Sequence, residues 1–407
     1  MRDLRERVRR LRGMDRLLPA LERLSPVYLV GGAVRDLLRG ARAVDLDLAV
    51  EGDARAVARE LAERLDGEAR EHERFGTATV RTGELSFDLA ATRTESYAEP
   101  GTLPEVTRAR LDEDLRRRDF AINAMAIGLS GDDLGHLYDP CGGLMDLKER
   151  VVRILHPRSF LDDPTRLLRA VRYEARLGFA MDADTEVRAR EAAAEGAPRT
   201  VSGARVRDEL MDLLAEPDVP AGVARLHELG LDRSLHPALE ADPELVASAA
   251  LGAVALGADR ALAALAALCA VAPQRLDLWL ADLHLLAPER DAVSRAARVA
   301  PRLAAELGER EHPPSELRAL LGREPLVALA LALAFGAPAE PILRWVTELS
   351  GVRLEISGAD LLAAGVAEGP AIGRALEETL RRKLDGLVRG RDDELETALA
   401  LARGETR

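Results

Sequence analysis

Leucines and Met14 recur through residues 3–24 at helical spacing, and the pattern stops at Ser25-Pro26. The apolar run over residues 27–30 reads as a strand, followed by the glycines Gly31 and Gly32 and a short helix. In VDLDLAV, residues 44–50, apolar and acidic positions alternate, so a strand here puts Asp45 and Asp47 on one face and Val44, Leu46 and Leu48 on the other. GDARAVARELAERLDG follows with helical spacing, and ATVRT and LSFDLAAT alternate as short strands. TESYAEPGTLPEVTRA, residues 94–109, has no period and reads as a mobile surface loop.

Helix and strand patterns mix up to about residue 155. From Asp162 onward strand patterns vanish, and LLRAVRYEARLGF, TEVRAREAAAEG, VRDELMDLLAE and VPAGVARLHELGL succeed one another as helices. Proline and glycine punctuate the remainder at irregular intervals, without a clean repeat. The pattern predicts an α+β chain: a mixed head followed by an all-helical body and tail.

Composition alters this picture little. Of 407 residues 47% are apolar, as in ordinary folded proteins, and the abundance of Ala, Leu and Arg favours helices. The net charge of −13 argues against a protein that coats nucleic acid non-specifically. MRDLRERVRRLRGMDR, LRRRDF and LRRKLDGLVRGR are Arg-rich, and read either as solvated helix faces or as local basic surfaces. Cys141 and Cys269 lie far apart without CxxC spacing, which suggests neither a thiolate zinc site nor a disulfide framework and points to a reducing cytoplasm. The start of the chain lacks an apolar signal core, and LVALALALAFGAPA near residues 326–339 is too short to span a bilayer, so no membrane association is expected.

Three constellations carry chemistry. Asp45 and Asp47 repel each other on one strand face, and a cation offsets that cost; hard carboxylate oxygens suit Mg²⁺ bound together with substrate phosphates. The glycine turn upstream offers backbone N–H groups to a phosphate. Asp88, in FDLAAT, is either a third metal ligand, a metal-facing base or an edge-strand residue. In LRRRDFAINAMAI, residues 115–127, Asp119 is expected at a helix start with Asn123 one turn on. Arg118, Asp119 and Asn123 suit joint recognition of a sugar and a phosphate, or else Asp119 simply caps a core helix. In SFLDDPTRLLRAVRYEARLGF, residues 159–179, Asp162 is expected as the N-cap with Pro164 in the first turn. Asp163, Arg166 and Arg169 then share a helix face, as carboxylate acceptors and guanidinium donors that suit a base edge, or as an i,i+3 ion pair.

Taken in order, these segments resemble the class II tRNA nucleotidyltransferase and bacterial poly(A) polymerase family, part of the polymerase-β-like nucleotidyltransferase superfamily. LVGGAVRDLL…DLDLAV resembles the family's metal-binding motif and RRDFAINAMAI its ribose-recognition motif. YDPCGGLMDLKERVVRIL looks like the segment joining head and neck, DDPTRLLRAVR like the nucleotide-templating motif, and SGARVRDELMDLL like the helix that follows it. The resemblance covers residues 26–230; the remainder matches only in helical character.

That resemblance implies a five-stranded nucleotidyltransferase head with a mixed sheet, then an all-α neck, body and tail. The divisions expected are an N-terminal helix at residues 1–25, a catalytic head at 26–155, a base-reading neck at 156–230, and a body and tail at 231–407 that bind the tRNA acceptor arm. It implies Mg²⁺ on Asp45 and Asp47, the triphosphate near Gly31, Gly32 and Arg35, and the ribose at Arg118, Asp119 and Asn123. Asp163 and Arg166 are placed at the edge of the incoming CTP or ATP. Many members carry Glu-Asp where this chain has Asp162-Asp163, a change that keeps the acid and shortens it. No His-Asp doublet occurs, which argues against the phosphohydrolase domain that some relatives append. The implied activity is addition of C, C and A to tRNA 3′ ends without a nucleic-acid template. Enzymes restricted to CC or to A, poly(A) polymerases, a small-molecule or protein nucleotidyltransferase, and an RNA-binding protein on a decayed head are the alternatives. Oligomeric state is not legible in these residues.

Overall fold

The computed structural model describes residues 2–41, 46–72 and 76–404. The chain gathers into two compact units, Met1–Asp218 with Arg225–Leu235, and Val219–Ala224 with His236–Arg407.

The first unit is built on a mixed seven-stranded sheet, two strands wider than the resemblance implies. Its strands in chain order are β1 (Val27–Val30), β2 (Leu46–Val50), β3 (Glu68–His72), β4 (Thr77–Thr82) and β5 (Leu85–Ala91). A separate pair, β6 (Arg93–Ser96) and β7 (Glu105–Arg108), comes next, and β8 (Ala126–Gly128) and β9 (Leu137–Tyr138) complete the sheet. The order is β3-β4-β5-β2-β1-β8-β9, with only β2 and β5 parallel. β8 and β9 are three and two residues long, too short to leave a period.

The alternation in β2 and β5 decides which face carries chemistry. Leu46, Leu48, Phe87 and Leu89 are buried, whereas Asp47 and Asp88 on the opposite face are exposed. The helix Ala54–Arg64 packs on this sheet through its apolar side, and Asp53 caps it by accepting from the amides of Arg55 and Ala56 at 3.1 and 3.2 Å. On the other face Tyr28, Val30, Ala49 and Ala126 pack with Leu111 and Leu115 of the helix Leu111–Arg116. That helix and the two residues after it bring Asp114, Arg117 and Arg118 alongside Asp47.

The second unit is helical among its described residues. Pro243–Leu256, Ala287–Glu309 and Leu326–Ala334 pack together, and Gly252 lets the first approach the Ala330 backbone; a Cβ there would lie 2.9 Å from the Ala330 carbonyl oxygen. The apolar run expected as a buried helix is one, with Val327–Ala332 fully enclosed. Among the described residues no helix is long and apolar enough to cross a membrane.

Several local expectations need correction. Residues 3–24 form two helices, Arg2–Arg9 and Met14–Ala20, because Gly13 takes φ +84° and sits where a Cβ would lie 2.8 Å from Leu85. Residues 94–109 are largely the β6–β7 hairpin; β7 is exposed at every position, so no apolar alternation marks it. Asp119 does not begin an α-helix: Ala121–Asn123 is a single 3₁₀ turn and β8 follows. Residues 120–127 are buried throughout, which erases the contrast between helix and strand periods. Beyond Asp162 one short strand does occur, Ala180–Met181, parallel to Val151–Val152.

Candidate active site

The glycine pair sits between β1 and the helix Gly32–Arg39. Gly31 adopts φ +65°, ψ −132°, which a side chain would strain, and a Cβ there would lie 3.2 Å from an Arg118 guanidinium nitrogen. Glycine thus opens the helix start, with its unpaired amides, to close approach by an anion. One turn on, Arg35 is buried: it donates to both Asp36 oxygens at 2.9 and 3.0 Å and to Asn123 Oδ1 at 2.8 Å. Burial alone would lower its pKa; the bond to Asp36 and its charge raise it instead.

Asn123 begins a continuous polar wall. Its Nδ2 donates to Asp119 Oδ1 at 3.1 Å, and that oxygen also accepts the Phe120 amide at 2.8 Å. Asp119 Oδ2 accepts Arg169 Nε and Nη2 at 3.0 and 2.8 Å. Arg169 continues to Glu209 Oε1 at 2.9 Å, while Arg172 takes Glu209 Oε2 at 2.8 Å and Asp212. The helices Thr165–Leu177 and Gly203–Leu214 supply these residues. Tyr173 lies at the centre, with the guanidinium carbons of Arg35, Arg169 and Arg172 at 5.3, 5.6 and 5.7 Å from its ring centroid. Burial would raise the Asp119 carboxyl, yet Arg169 and the Asn123 bond hold it below the usual carboxylate range. Arg169 correspondingly sits well above the ordinary guanidinium value despite its burial.

At the other end of the same helix, Asp163 rather than Asp162 acts as the cap. Its Oδ1 accepts the Thr165 amide at 3.1 Å, the Thr165 hydroxyl at 2.6 Å and Arg205 Nη2 at 2.8 Å. Asp162 instead ends the preceding turn, Ser159–Asp162, and Pro164 stands just before the helix. Arg166 does not pair with Asp163; it is buried and donates to Ser159 Oγ at 2.7 Å and the Arg117 carbonyl at 3.0 Å.

Gly31, Gly32, Arg35, Asp119, Asn123, Asp163, Arg166, Arg169, Arg172 and Tyr173 line one cleft of about 480 Å³. Seven arginines and five carboxylates face it among the described residues, a local excess of positive charge in an acidic protein. Asp47 lies on its wall and also on that of an adjoining cavity of about 340 Å³ that contains Asp88. Asp47 and Asp88 stand opposite each other in the parallel β2–β5 register, and Asp88 Oδ1 accepts the Thr79 hydroxyl at 2.6 Å. Two exposed carboxylates facing one another beside a phosphate-ready glycine turn suit a hard divalent cation. Asp45 lies outside the described residues, and among those described no three acidic, histidine or cysteine side chains form a ligand cluster.

Comparison with known proteins shows the family. The family "Poly A polymerase head domain" matches residues 27–153, and "Probable RNA and SrmB-binding site of polymerase A" matches residues 178–242. The CC-adding tRNA nucleotidyltransferase of Deinococcus radiodurans is 35% identical over 374 residues, 90% of this chain and 87% of its own length. The chain belongs to the tRNA nucleotidyltransferase family. The A-adding tRNA nucleotidyltransferase of Geobacter sulfurreducens is 33% identical over 93% of the chain, but the chain spans only 45% of that relative's length. The Thermotoga maritima CCA-adding enzyme, solved in complex with tRNA, superposes with a TM-score of 0.75 at 32% identity, covering 92% of this chain and 91% of its own. The family acts with a divalent metal.

The cleft thus brings together Gly31, Gly32, Arg35, Asp47, Arg118, Asp119, Asn123, Asp163, Arg166 and Arg169. Asp88 stands in the adjoining cavity. Sequence reasoning missed Glu95, Asp114, Arg117, Arg172, Tyr173 and Arg176. Arg172 and Arg176 continue the three- and four-residue steps from Arg166 and Arg169, so that face, counted two turns further, would have found them. Glu95 arrives on the β6–β7 hairpin to accept from Arg117 Nη1 at 2.7 Å, a contact across 22 residues that no local pattern announces.

Proposed function

We propose that the chain is a metal-dependent RNA nucleotidyltransferase that adds CCA to tRNA 3′ ends from CTP and ATP, releasing pyrophosphate. The observation that carries this reading is the Asp163 carboxylate. Its Oδ1 is locked by three donors, whereas no described group donates to Oδ2. Cytosine and adenine both present an exocyclic amine to such an acceptor, so protein groups take the place of a template base. Arg166, anchored at both terminal nitrogens, keeps its orientation next to that carboxylate. Arg118, with Asp119 and Asn123, meets the sugar, and the amides at Gly31 and Gly32 meet the phosphates near Arg35.

Asp45 and Asp47 are the residues to hold Mg²⁺, with Asp88 opposite. When bound, the ion lowers the pKa of the attacking 3′-hydroxyl and stabilises charge on the phosphates. The protein's own part is placement: base, sugar and triphosphate are held along one wall so that the α-phosphate faces Asp47, where the tRNA 3′-hydroxyl attacks it and pyrophosphate leaves. In this reading residues 26–155 house the chemistry, 156–230 read the base, and 231–407 hold the acceptor arm. Two free cysteines, one of them buried, fit work in the cytoplasm.

Labelled nucleotides offered singly and together, with Mg²⁺, to tRNA transcripts that lack CCA, end in CC, or are complete will test this. Three additions to the first and then a stop are expected. Two C additions or a lone A mark a restricted member, an open-ended A ladder marks a poly(A) polymerase, and no incorporation into any transcript overturns the reading.

Glu209 is expected to act as a positioning residue. Glu209→Gln removes the charge shared by Arg169 and Arg172, and should raise the nucleotide KM about tenfold with a smaller change in kcat. Steady-state rates over a range of ATP and CTP concentrations check this; an equal fall in kcat at unchanged KM would place Glu209 in the chemical step instead.

A further inference from the structure

The far end of the cleft holds an arginine that the nucleotide reading leaves unused, and the inference from it rests on that reading. Arg166, Arg169, Arg172 and Arg176 step along the Thr165–Leu177 helix by three and four residues, so they share one face over about 15 Å of axis. The first three are engaged by Ser159, Asp119, Glu209 and Asp212. Arg176 lines the same cleft, is exposed, and has no hydrogen bond or ion pair among the described residues.

Two ring contacts bracket its position. The Arg35 guanidinium lies over Tyr173, and that of Arg39, one turn along the Gly32–Arg39 helix, lies 5.5 Å from the Phe179 centroid. Arg176 falls midway in sequence between Tyr173 and Phe179, and Asp36, next to Arg35 and one turn before Arg39, lines the cleft with it. Asp36 is already neutralised, by Arg35 at 2.9 Å and Arg39 at 3.7 Å. It neither claims Arg176 nor repels an incoming anion strongly. The base-reading Asp163 stands at the opposite end of the helix, and the glycine-lined helix start is held opposite its middle by the Arg35–Tyr173 contact. A triphosphate that begins at the glycines and continues away from the base therefore runs toward Arg176.

We propose that Arg176 binds the terminal phosphate of the incoming nucleoside triphosphate and, after transfer, the departing pyrophosphate. Arginine suits the task, since its planar fork stays charged and gives paired bonds to phosphate oxygens. A plain alternative exists: a cation in the last turn of a helix offsets the helix dipole without touching any ligand.

Calorimetric titration with Mg²⁺ separates the two. ATP, CTP, their monophosphates and inorganic pyrophosphate are titrated into the wild type, Arg176→Gln and Arg176→Lys, with thermal unfolding recorded for each. Arg176→Gln is expected to weaken the triphosphates and pyrophosphate about tenfold and leave the monophosphates unchanged, with most of the loss recovered in Arg176→Lys. Unchanged triphosphate and pyrophosphate affinity in Arg176→Gln overturns the proposal, as does a loss shared equally by mono- and triphosphates with a lowered unfolding temperature. A wild type that binds no nucleotide at all removes the nucleotide reading itself, whereas a wild type that binds ATP or CTP no better than Arg176→Gln removes this proposal alone.

Discussion

Asp47→Ala is expected to lower nucleotide incorporation by at least about a thousandfold, the scale of several kcal/mol of lost transition-state stabilisation. The fold should survive, because Asp47 is exposed on β2 while Leu46, Leu48, Ala49 and Val50 of the same strand carry the packing. Its effect comes from position. Asp47 is shared by the cleft proposed to hold the nucleotide and by the cavity that holds Asp88, so in that reading it stands where an attacking group and a phosphate would meet. Rates with saturating Mg²⁺, beside circular dichroism and thermal unfolding, give the answer. Incorporation within about tenfold of wild type would remove Asp47 from the metal site, since a lost hard-oxygen ligand is not replaced by a nearby apolar methyl group. Asp88→Asn is expected to fall between Asp47→Ala and wild type, because the Thr79 hydroxyl that binds Asp88 can donate equally to the remaining amide oxygen.

The strands that carry these carboxylates were legible because each has one face in the core. Leu46, Leu48, Phe87 and Leu89 are buried, and the acidic positions between them follow from the two-residue period. The 3₁₀ turn at Ala121–Asn123 was not legible, since every residue around it is buried and no polar position marks the period. The cap at Asp163 shifted by one residue for a related reason: Asp162, Asp163 and Thr165 are all capping types, and Arg205, forty-two residues away, favours the second aspartate. The wall from Arg35 to Asp212 shows the limit most clearly. Local spacing placed Arg166 and Arg169 on one face, but their partners Arg117, Asp119 and Glu209 come from other elements. Which arginine stays available for a ligand and which is bound to protein is a tertiary fact.

Asp114→Ala is expected to destabilise the first unit by about 3 kcal/mol or more, the cost of removing one partner from a buried ion-pair network. Asp114 is 1% exposed, and its Oδ1 accepts Arg117 Nη2 at 2.7 Å and the Arg93 amide at 3.1 Å, while Oδ2 accepts Arg118 Nη2 at 3.0 Å. Without it two adjacent guanidiniums at the cleft lose their common anion, and only Arg117 keeps another, Glu95. The same geometry sets a pH dependence. Burial would raise the Asp114 carboxyl, but Arg118 and Arg117 outweigh it and hold the group below its ordinary value. A depressed folded-state pKa means that the ionised group stabilises the fold fully above its unfolded value of about 3.9 and loses that contribution as the pH falls through the folded value. Asp119 is depressed in the same sense. Urea unfolding of the wild type should therefore be insensitive to these two groups near neutrality and weaken steeply below about pH 4. Asp114→Asn should begin less stable and lose less on acidification, keeping the part due to Asp119. An acid limb as steep in Asp114→Asn as in the wild type would show that the Asp114 carboxylate is not what couples protonation to unfolding, and that the clamp on Arg117 and Arg118 contributes through packing alone.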